Sequence, residues 1–320
     1  MRISVLGCGR WGSFIAWYLD HIGHDITLYG RPSSRSMAAF QSSRTNGMVH
    51  LPDSVRLSTQ LSDAVQHGEV LVISIGAQGL RSLLAELKSA QLPHTIPLIL
   101  CMKGIEEDTG LRLSQVVEAV LGPEAPVAVW VGPGHVQDFT AGIPNCMVID
   151  SKDRCLKYRL VDAFGGDLIR FYYGSDLLGN EVGAASKNVI GIAAGMLDGA
   201  NLTSLKGALI SRGTREISRL IGAMGGNPIT AYGLGHLGDY AATVFSPYSH
   251  NRAFGEKFIR QEPYHELAEG VSTSAAMVLL AQRYGVDLPI CTGVYQILQR
   301  KEDAGTVLSN LFMRSIKEEF

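Results

Sequence analysis

The sequence predicts an α/β fold in which a Rossmann-type, mostly parallel sheet is followed by an all-helical second domain. Short unbroken apolar runs alternate with helical segments through the first half of the 320 residues, as in a parallel sheet covered on both faces. After about Asp176 this alternation stops, and apolar residues recur at helical spacing to the end. These observations predict one domain over residues 1–176 and a second over 177–320.

A glycine-rich turn follows the first apolar run. Arg2–Leu6 leads directly into Gly7-Cys8-Gly9-Arg10-Trp11-Gly12, and a helical segment comes next. The glycines permit a tight turn and close backbone approach, and the amino end of the helix can hold a pyrophosphate. We therefore expect a dinucleotide at Gly7, Gly9 and Gly12. The alternative is a turn without a ligand.

The end of the second predicted strand, Asp25–Tyr29, bears on the choice of cofactor. NAD-specific proteins often place a carboxylate there for the ribose hydroxyls. This chain has Gly30 and Arg31 instead, with Arg35 shortly after. The cofactor is therefore expected to be NADP or NAD, with NADPH favoured. The alternative is that the arginines are solvated loop residues.

Later apolar runs predict further strands. Buried strands are expected at residues 69–75, 97–102 and 127–131, and shorter last strands at 146–150 and 168–172. Ligands gather at the carboxyl ends of such strands. Lys103 and the Gly132–His135 loop follow two of these ends, so they could hold an anion. An ordinary strand-end lysine and an ordinary turn are the alternatives.

The second half begins with a predicted buried helix of unusual composition. Gly183, Lys187, Gly191 and Gly195 recur every four residues and so share one face. Each glycine costs a helix interior about 1 kcal/mol relative to alanine. A lysine on such a face loses solvation, which favours its neutral form and suits proton transfer. The alternative is tight helix packing with the lysine reaching water.

Polar groups further along could complete a site. Asp239 follows a glycine-rich turn, so it is expected to cap a helix, or else to hold Lys187 or a substrate hydroxyl. Ser249-His250-Asn251-Arg252 offers several donors, as an anion cradle or as a solvated loop. Glu269 stands near a helix start and could simply complement its dipole.

Composition excludes several classes of protein. The net charge of −2 implies no general attraction to nucleic acid or acidic membranes. The five cysteines show no CxxC spacing, so neither a disulfide framework nor a metal site is expected. A reducing cytoplasm is the expected location. We find no signal-peptide pattern and no apolar run of the roughly 18 residues that a membrane span needs.

Taken together, the motifs resemble those of bacterial NAD(P)-dependent glycerol-3-phosphate dehydrogenases. The resemblance runs essentially end to end, and the motifs in this order are specific. It implies interconversion of dihydroxyacetone phosphate and sn-glycerol 3-phosphate for phospholipid synthesis, by a cytoplasmic homodimer. The matching segments are residues 7–12, 103–106, 132–133, 187–190, 208–210, 212–213, 237–239, 251–252, 269–270 and 288–290.

The resemblance also implies roles for individual residues. Lys187 matches the catalytic lysine, which would protonate the carbonyl oxygen during hydride transfer. The implied substrate-binding residues are Lys103, Gly132, Gly134, Lys187, Asp239, Ser249, His250 and Asn251. The implied cofactor-binding residues are Gly7, Gly9, Arg10, Trp11, Gly12, Arg31, Lys103, Val136, His250, Leu267 and Glu269.

Three departures from the family pattern bear on the substrate. His250 stands where an arginine is usual, and arginine has a fixed charge and a fork that suit phosphate; Arg252 is a candidate to compensate. Residues 201–206 replace a glycine-rich segment, and His236 replaces a small residue. The alternatives are therefore a related dehydrogenase acting on another small hydroxy acid or phosphate, and a non-catalytic nucleotide-binding regulator.

Overall fold

The structure, a computed structural model, describes residues 1–316 and Glu318. It contains two compact units. The first comprises Met1–Lys103 and Leu111–Glu181, and the second comprises Gly104–Gly110 and the chain from Val182 onward. The short segment Gly104–Gly110 joins the second unit, where Arg283 Nη2 donates to the Thr109 carbonyl at 2.8 Å. The functional division predicted at residue 176 stays a prediction.

The first unit is built on one eight-stranded sheet with the order β3-β2-β1-β4-β5-β6-β7-β8. All neighbouring pairs are parallel except β6 and β7, which are antiparallel. The predicted mostly parallel sheet is therefore confirmed. The strands are β1 (Arg2–Leu6), β2 (Asp25–Tyr29), β3 (Arg56–Ser58), β4 (Val70–Ile73), β5 (Leu98–Leu100), β6 (Val127–Val131), β7 (Asn145–Asp150) and β8 (Ile169–Tyr173).

The sheet differs from the sequence prediction at both edges. Strand β3 was not predicted, because three residues are too few to show an alternating pattern. The last strands were expected to be shorter, and this was wrong, since β7 has six residues and β8 has five. The chain reverses between β6 and β7 through a five-residue helix.

Helices cover the sheet, and aromatic side chains fill part of the core. Trp130 on β6 is fully buried and packs edge-on against Phe171, with ring centroids 4.9 Å apart. Phe14 and Phe139 stack at 4.9 Å. The helices of this unit are α1 (Arg10–His21), α2 (Arg35–Ser43), α3 (Leu61–His67), α4 (Leu80–Ser89), α5 (Leu113–Leu121), α6 (Val136–Thr140) and α7 (Arg154–Phe164).

The second half of the chain is helical, as predicted. A π-helical turn, Leu234–Gly238, leads into the seven-residue α10. Pro289 occupies the first turn of α13, where its missing N–H leaves no hydrogen bond unmade. The helices are α8 (Leu177–Gly199), α9 (Lys206–Ala223), α10 (Asp239–Phe245), α11 (His250–Ile259), α12 (Gly270–Tyr284), α13 (Pro289–Gln299) and α14 (Ala304–Phe312).

The glycines of α8 permit close approach of the segments that follow. A Cβ placed on Gly195 would lie 1.9 Å from the Arg252 carbonyl oxygen of α11. A Cβ on Gly191 would lie 3.0 Å from Thr243 Cγ2 of α10. The tight-packing interpretation therefore holds for these glycines, and it explains why the helix tolerates their low helix propensity.

Alanine substitutions should separate this packing role from helix propensity. We expect Gly195→Ala to lower the free energy of unfolding by roughly 3 kcal/mol, because backbone must move to admit the methyl group. Gly207→Ala in α9 is the matched control, since no described atom lies within 4 Å of its added Cβ. That change should raise stability by up to about 1 kcal/mol. Urea unfolding measures both, and a Gly195→Ala protein as stable as wild type would contradict the packing role.

Candidate active site

The glycine-rich turn between β1 and α1 has the geometry expected for a phosphate-binding loop. Gly7 has φ +113°, and a Cβ there would lie 2.1 Å from the Ser74 carbonyl oxygen. A Cβ on Gly12 would lie 1.9 Å from the Gly7 carbonyl oxygen. Both positions require glycine, so the turn itself accounts for two of the three motif residues.

The third glycine leaves space for a ligand. Gly9 is the N-cap of α1, and no described atom lies within 4 Å of a Cβ built on it. Among the described residues, no side chain caps this helix end, and its first turn carries no acidic residue. The exposed backbone amides and the helix dipole favour an anion here. These residues therefore fit the pyrophosphate of a dinucleotide.

Other predicted cofactor residues lie on the same part of the first unit. Arg10 Nη2 donates to Gln137 Oε1 at 3.5 Å, which ties the start of α1 to α6, whose first residue is the buried Val136. Trp11 packs against Phe139 of α6, with centroids 6.2 Å apart.

The loop after β2 also lies beside the glycine turn. Cys8 Sγ and Ser34 Oγ are 3.1 Å apart, and a Cβ on Gly30 would lie 2.4 Å from Cys8 Sγ. Arg31 follows Gly30 directly and is exposed. An exposed positive side chain therefore follows β2 directly, beside the glycine turn.

Lys103 and Gly132 meet at the carboxyl ends of β5 and β6. Lys103 Nζ donates to the Gly132 carbonyl oxygen at 3.0 Å. Gly132 has φ +136°, a conformation that side chains disfavour, and a Cβ on Gly134 would lie 2.4 Å from the Phe139 ring. The predicted rim residues of the two strands are therefore adjacent.

In the second unit, Lys187 lies in a polar cluster that joins α8 and α10. Its Nζ donates to Asp239 Oδ1 and to Thr243 Oγ1, each at 3.0 Å. The side chains of Lys187 and Asp239 are 12% and 4% exposed. The preferred expectation that Asp239 caps a helix was wrong, because Gly238 is the N-cap of α10 and Asp239 pairs with Lys187 instead.

Two opposing effects act on the charge of Lys187 in this cluster. The sequence argument considered only desolvation, which favours the neutral amine. The Asp239 carboxylate at 3.0 Å opposes that effect, because it stabilises the ammonium. Thr243 Oγ1 accepts from the lysine and donates onward to the Asp239 carbonyl at 2.8 Å. Thr243 was not among the predicted site residues; its position four after Asp239, on the same helix face, was the available signal.

The first turn of α11 is tied to the residue that follows Lys187. Asn251 Nδ2 donates to Asn188 Oδ1 at 3.0 Å. Asn251 Oδ1 accepts from the Gly270 N–H at 2.9 Å, which brings in the start of α12 beside Glu269. Ser249 is the N-cap of α11. The structure therefore places Asn251 against Asn188, the residue next to Lys187, and against the start of α12.

The two basic residues of this segment have separate partners. His250 Nδ1 lies 2.8 Å from the Tyr264 hydroxyl. Arg252 Nη1 donates to Asp198 Oδ2 at 2.6 Å, so its charge is engaged in an ion pair rather than offered in place of an arginine at 250. Leu267 is 67% exposed, and its predicted cofactor contact stays a prediction.

His236 is fully buried beside the lysine cluster. Its Nδ1 donates to the Gly183 carbonyl oxygen at 2.8 Å. Burial lowers the pKa of His236 to about 4; the Lys187 charge acts in the same direction, whereas the Gly183 bond and Asp239 oppose it. The ring is therefore neutral across the physiological range.

A large cavity in the second unit lies apart from these residues. It has a volume of about 850 Å³, and the lining comes mainly from α8, α9, α13 and α14. Lys187, Asp239, Asn251 and His236 are not among its lining residues. Cavity size alone would therefore have pointed away from the polar cluster.

The described residues hold neither a metal-binding cluster nor a membrane-spanning helix. Across residues 1–316 and Glu318, no group of three or more His, Cys, Asp and Glu side chains could hold a metal ion. None of the described helices combines the length and hydropathy that a membrane span requires.

Comparison with known families assigns the chain to one of them. Residues 2–156 match the profile described as NAD-dependent glycerol-3-phosphate dehydrogenase N-terminus, and residues 176–309 match that of the C-terminus. This chain belongs to the NAD-dependent glycerol-3-phosphate dehydrogenase family. Members of the family use NAD or NADP, which agrees with the predicted cofactors.

Full-length relatives carry the same description. A glycerol-3-phosphate dehydrogenase [NAD(P)+] of Chlorobium phaeobacteroides is 36% identical over 332 residues, covering 100% of this chain and 99% of the relative. One from Acidithiobacillus ferrooxidans is 37% identical and covers 100% and 95%. The family resemblance inferred from the motifs is therefore confirmed.

Solved structures agree with the fold. The crystal structure of a glycerol-3-phosphate dehydrogenase from Coxiella burnetii has a TM-score of 0.90 at 26% identity and covers 98% of each chain. A D-mandelate dehydrogenase complex with NADH, at 14% identity and a TM-score of 0.65, covers 95% and 99% and shares the fold alone.

The buried His236 should make stability depend on pH. Its folded pKa of about 4 lies below the ordinary 6.5, so the unfolded chain binds the proton first. The contribution to stability is complete above about pH 6.5 and is lost as pH falls towards 4, reaching about 3 kcal/mol. Urea unfolding from pH 7 to 4.5 should show a steeper loss for wild type than for His236→Asn.

The exposed His94 provides the control for this comparison. His94→Asn should retain the wild-type pH dependence, because this exposed side chain can be replaced without changing the burial of His236. Parallel curves for wild type and His236→Asn would contradict the burial of a neutral ring.

Proposed function

We propose that this chain reduces dihydroxyacetone phosphate to sn-glycerol 3-phosphate with NADPH or NADH, and that Lys187 is the general acid. The observation that carries this proposal is the Lys187–Asp239–Thr243 cluster, with both contacts of Nζ at 3.0 Å, in a chain of this family. A largely enclosed ammonium that contacts two acceptors is a proton donor held in a defined place.

The first unit would hold the cofactor. When bound, the nicotinamide supplies a hydride to the carbonyl carbon of the substrate. The glycine turn would bind the pyrophosphate through backbone amides, and no carboxylate follows β2 to repel a 2′-phosphate. Arg31 would pair with that phosphate, which supports a preference for NADPH. The roles of Trp11, Val136, Leu267 and Glu269 follow from the resemblance.

Lys187 would give one proton to the carbonyl oxygen as the carbon gains the hydride. In the oxidative direction the neutral amine would take the hydroxyl proton. The Asp239 carboxylate favours the charged form of the lysine. The contacts of Nζ with Asp239 and Thr243 together fix the orientation of the ammonium group. The lysine thus neutralises the oxygen on which negative charge develops.

The substrate phosphate would lie at the start of α11. This ten-residue helix is capped by Ser249 and has no acidic residue in its first turn, so its dipole favours an anion. Asn251 connects this helix end to Asn188, the neighbour of Lys187. His250 would add a donor whose ring is oriented by Tyr264. Lys103, Gly132 and Gly134 are further proposed substrate contacts.

The alternatives from the sequence are less well supported. A regulator that only binds nucleotide has no need of a buried ion pair between a lysine and an aspartate. A different small substrate was suggested by His250, but relatives matching the whole chain are described as glycerol-3-phosphate dehydrogenases. Cytoplasmic location, a homodimer and a role in phospholipid synthesis are proposed from the resemblance.

Initial rates with dihydroxyacetone phosphate test the function directly. Wild type should oxidise NADPH and NADH, and Lys187→Ala should lower kcat by about a hundredfold or more, since it removes the proton donor. Nucleotide affinity, measured by fluorescence titration, should stay within about twofold because the glycine turn is unchanged.

A surface lysine supplies the control for this variant. Lys88→Ala, whose Nζ contacts only the Val120 carbonyl in the bonds described, should keep wild-type rates. If Lys187→Ala lost nucleotide binding together with turnover, the lysine would be a structural residue. Wild-type protein that binds NADPH without turning over this substrate would overturn the proposed function.

Arg31 provides a test of cofactor choice. Arg31→Ala should reduce the ratio of kcat/KM for NADPH to that for NADH by about tenfold, the loss expected for one charged phosphate contact. Arg35→Ala, an exposed arginine at the start of α2, is the matched control. If the NADPH-to-NADH ratio fell equally in Arg31→Ala and Arg35→Ala, the cause would be a general loss of positive charge and not a contact made by Arg31.

A further inference from the structure

His236 stands between the two segments that carry the lysine and its carboxylate partner. It belongs to the π-helical turn Leu234–Gly238, three residues before Asp239. Its Nδ1 donates to the Gly183 carbonyl at 2.8 Å, and Gly183 lies one helical turn before Lys187 on α8. One buried hydrogen bond, from the His236 side chain to the Gly183 carbonyl, therefore joins the two segments that carry Asp239 and Lys187.

The bond ends on the carbonyl group that also anchors the backbone of Lys187. In an α-helix the carbonyl of residue 183 is also the acceptor for the N–H of residue 187. Ser186 Oγ donates to the same oxygen at 3.1 Å. Movement of this carbonyl would therefore move the backbone from which the lysine side chain projects.

Burial of the His236 ring lowers the stability of the fold, because one of its nitrogens has no described hydrogen-bond partner. With Nδ1 as the donor, Nε2 is a lone-pair acceptor, and this buried atom has no hydrogen-bond partner in the described part of the chain. A buried acceptor without a partner lowers stability, and such a group calls for an explanation. An aliphatic side chain would avoid the cost, but it could not donate to Gly183.

The fit also depends on glycine at position 183. A Cβ built there would lie 2.8 Å from His236 Cβ, so any side chain would displace the ring. The histidine and the glycine are therefore matched to each other, and the packing leaves the Nδ1 bond as the directional contact.

We propose that His236 is a positioning residue, whose bond to Gly183 holds the segment of Asp239 against α8 so that Lys187 and Asp239 remain at ion-pair distance. The proposal rests on the proposed function of Lys187 as the general acid. It concerns one of the three departures from the family pattern, so this support belongs to the present chain.

Two replacements separate the hydrogen bond from ring packing. In His236→Asn the amide Nδ2 can replace the Nδ1 donor, whereas His236→Leu fills similar space without a donor. With NADPH and dihydroxyacetone phosphate, His236→Leu should lower kcat about 10- to 100-fold, the effect of a misplaced catalytic group. His236→Asn should keep kcat within about threefold, and nucleotide KM should stay within about twofold for both.

Ser218→Ala is the matched control for a lost buried hydrogen bond. Ser218 is buried on α9 and donates to the Pro228 carbonyl at 2.9 Å. This variant should lose stability but keep wild-type kcat. Equal losses of kcat in His236→Leu and His236→Asn, or unchanged kcat in His236→Leu, would overturn the positioning role.

Crystal structures of the variants give a readout that does not need turnover. The distance from Lys187 Nζ to Asp239 Oδ1 is 3.0 Å; it should be retained in His236→Asn and exceed about 3.5 Å in His236→Leu, beyond hydrogen-bond range. If wild type failed to reduce dihydroxyacetone phosphate, the proposed function would fall, and this distance would still decide the positioning role.

Gly183→Ala reaches the same bond from the other side and serves if His236→Leu does not fold. The added methyl should push the ring away and lower kcat in the same direction, while Lys187, Asp239 and His236 are all retained. Full kcat in Gly183→Ala, with the ion-pair distance unchanged, would overturn the proposal.

Discussion

The close approach of other segments to one face of α8 is the constraint on which the second unit depends. Glycine at 195 lets α11 come within a distance that no side chain would allow, and glycine at 191 lets α10 pack tightly against the helix. The same face carries Lys187, so the helices that pack on the glycines also deliver the partners of the lysine. Asp239 and Thr243 arrive from α10, and Asn251 arrives from α11 beside Asn188. Packing and chemistry are therefore consequences of one sequence pattern.

Charged side chains in this unit form ion pairs of two kinds, those that join helices and the pair that contains Lys187. Lys206 pairs with Asp198 at 2.6 Å, and Arg252 shares that carboxylate, an arrangement that joins α8, α9 and α11. Lys187 differs because its Nζ contacts the Asp239 carboxylate and a hydroxyl, so the ion pair with Asp239 has no net charge. In contrast, burial raises the pKa of Glu216 to about 7, opposed by the N–H groups of Ile290 and Cys291 at the start of α13.

The features that could be predicted from sequence are those encoded locally. The glycine turn, the apolar strands and the spacing along α8 all depend on residues within one or two turns of each other. The partner of Asp239 lies 52 residues away, and nothing local distinguishes a capping carboxylate from one that pairs at long range. For the same reason the engagement of Arg252 by Asp198 was not visible, and three-residue β3 was too short to show a period.

The departures at His236 and His250 lie beside the proposed reacting group, Lys187, and do not replace it. Each ring is oriented through Nδ1, by the Gly183 carbonyl in one case and by the Tyr264 hydroxyl in the other. Neither replaces the ammonium of Lys187 or the carboxylate of Asp239. In the proposed function, proton transfer to the carbonyl oxygen would depend on those two groups, whereas recognition of the anion would depend on the first turn of α11. A chain can therefore change its anion contacts and its internal supports while it keeps the chemistry of its family.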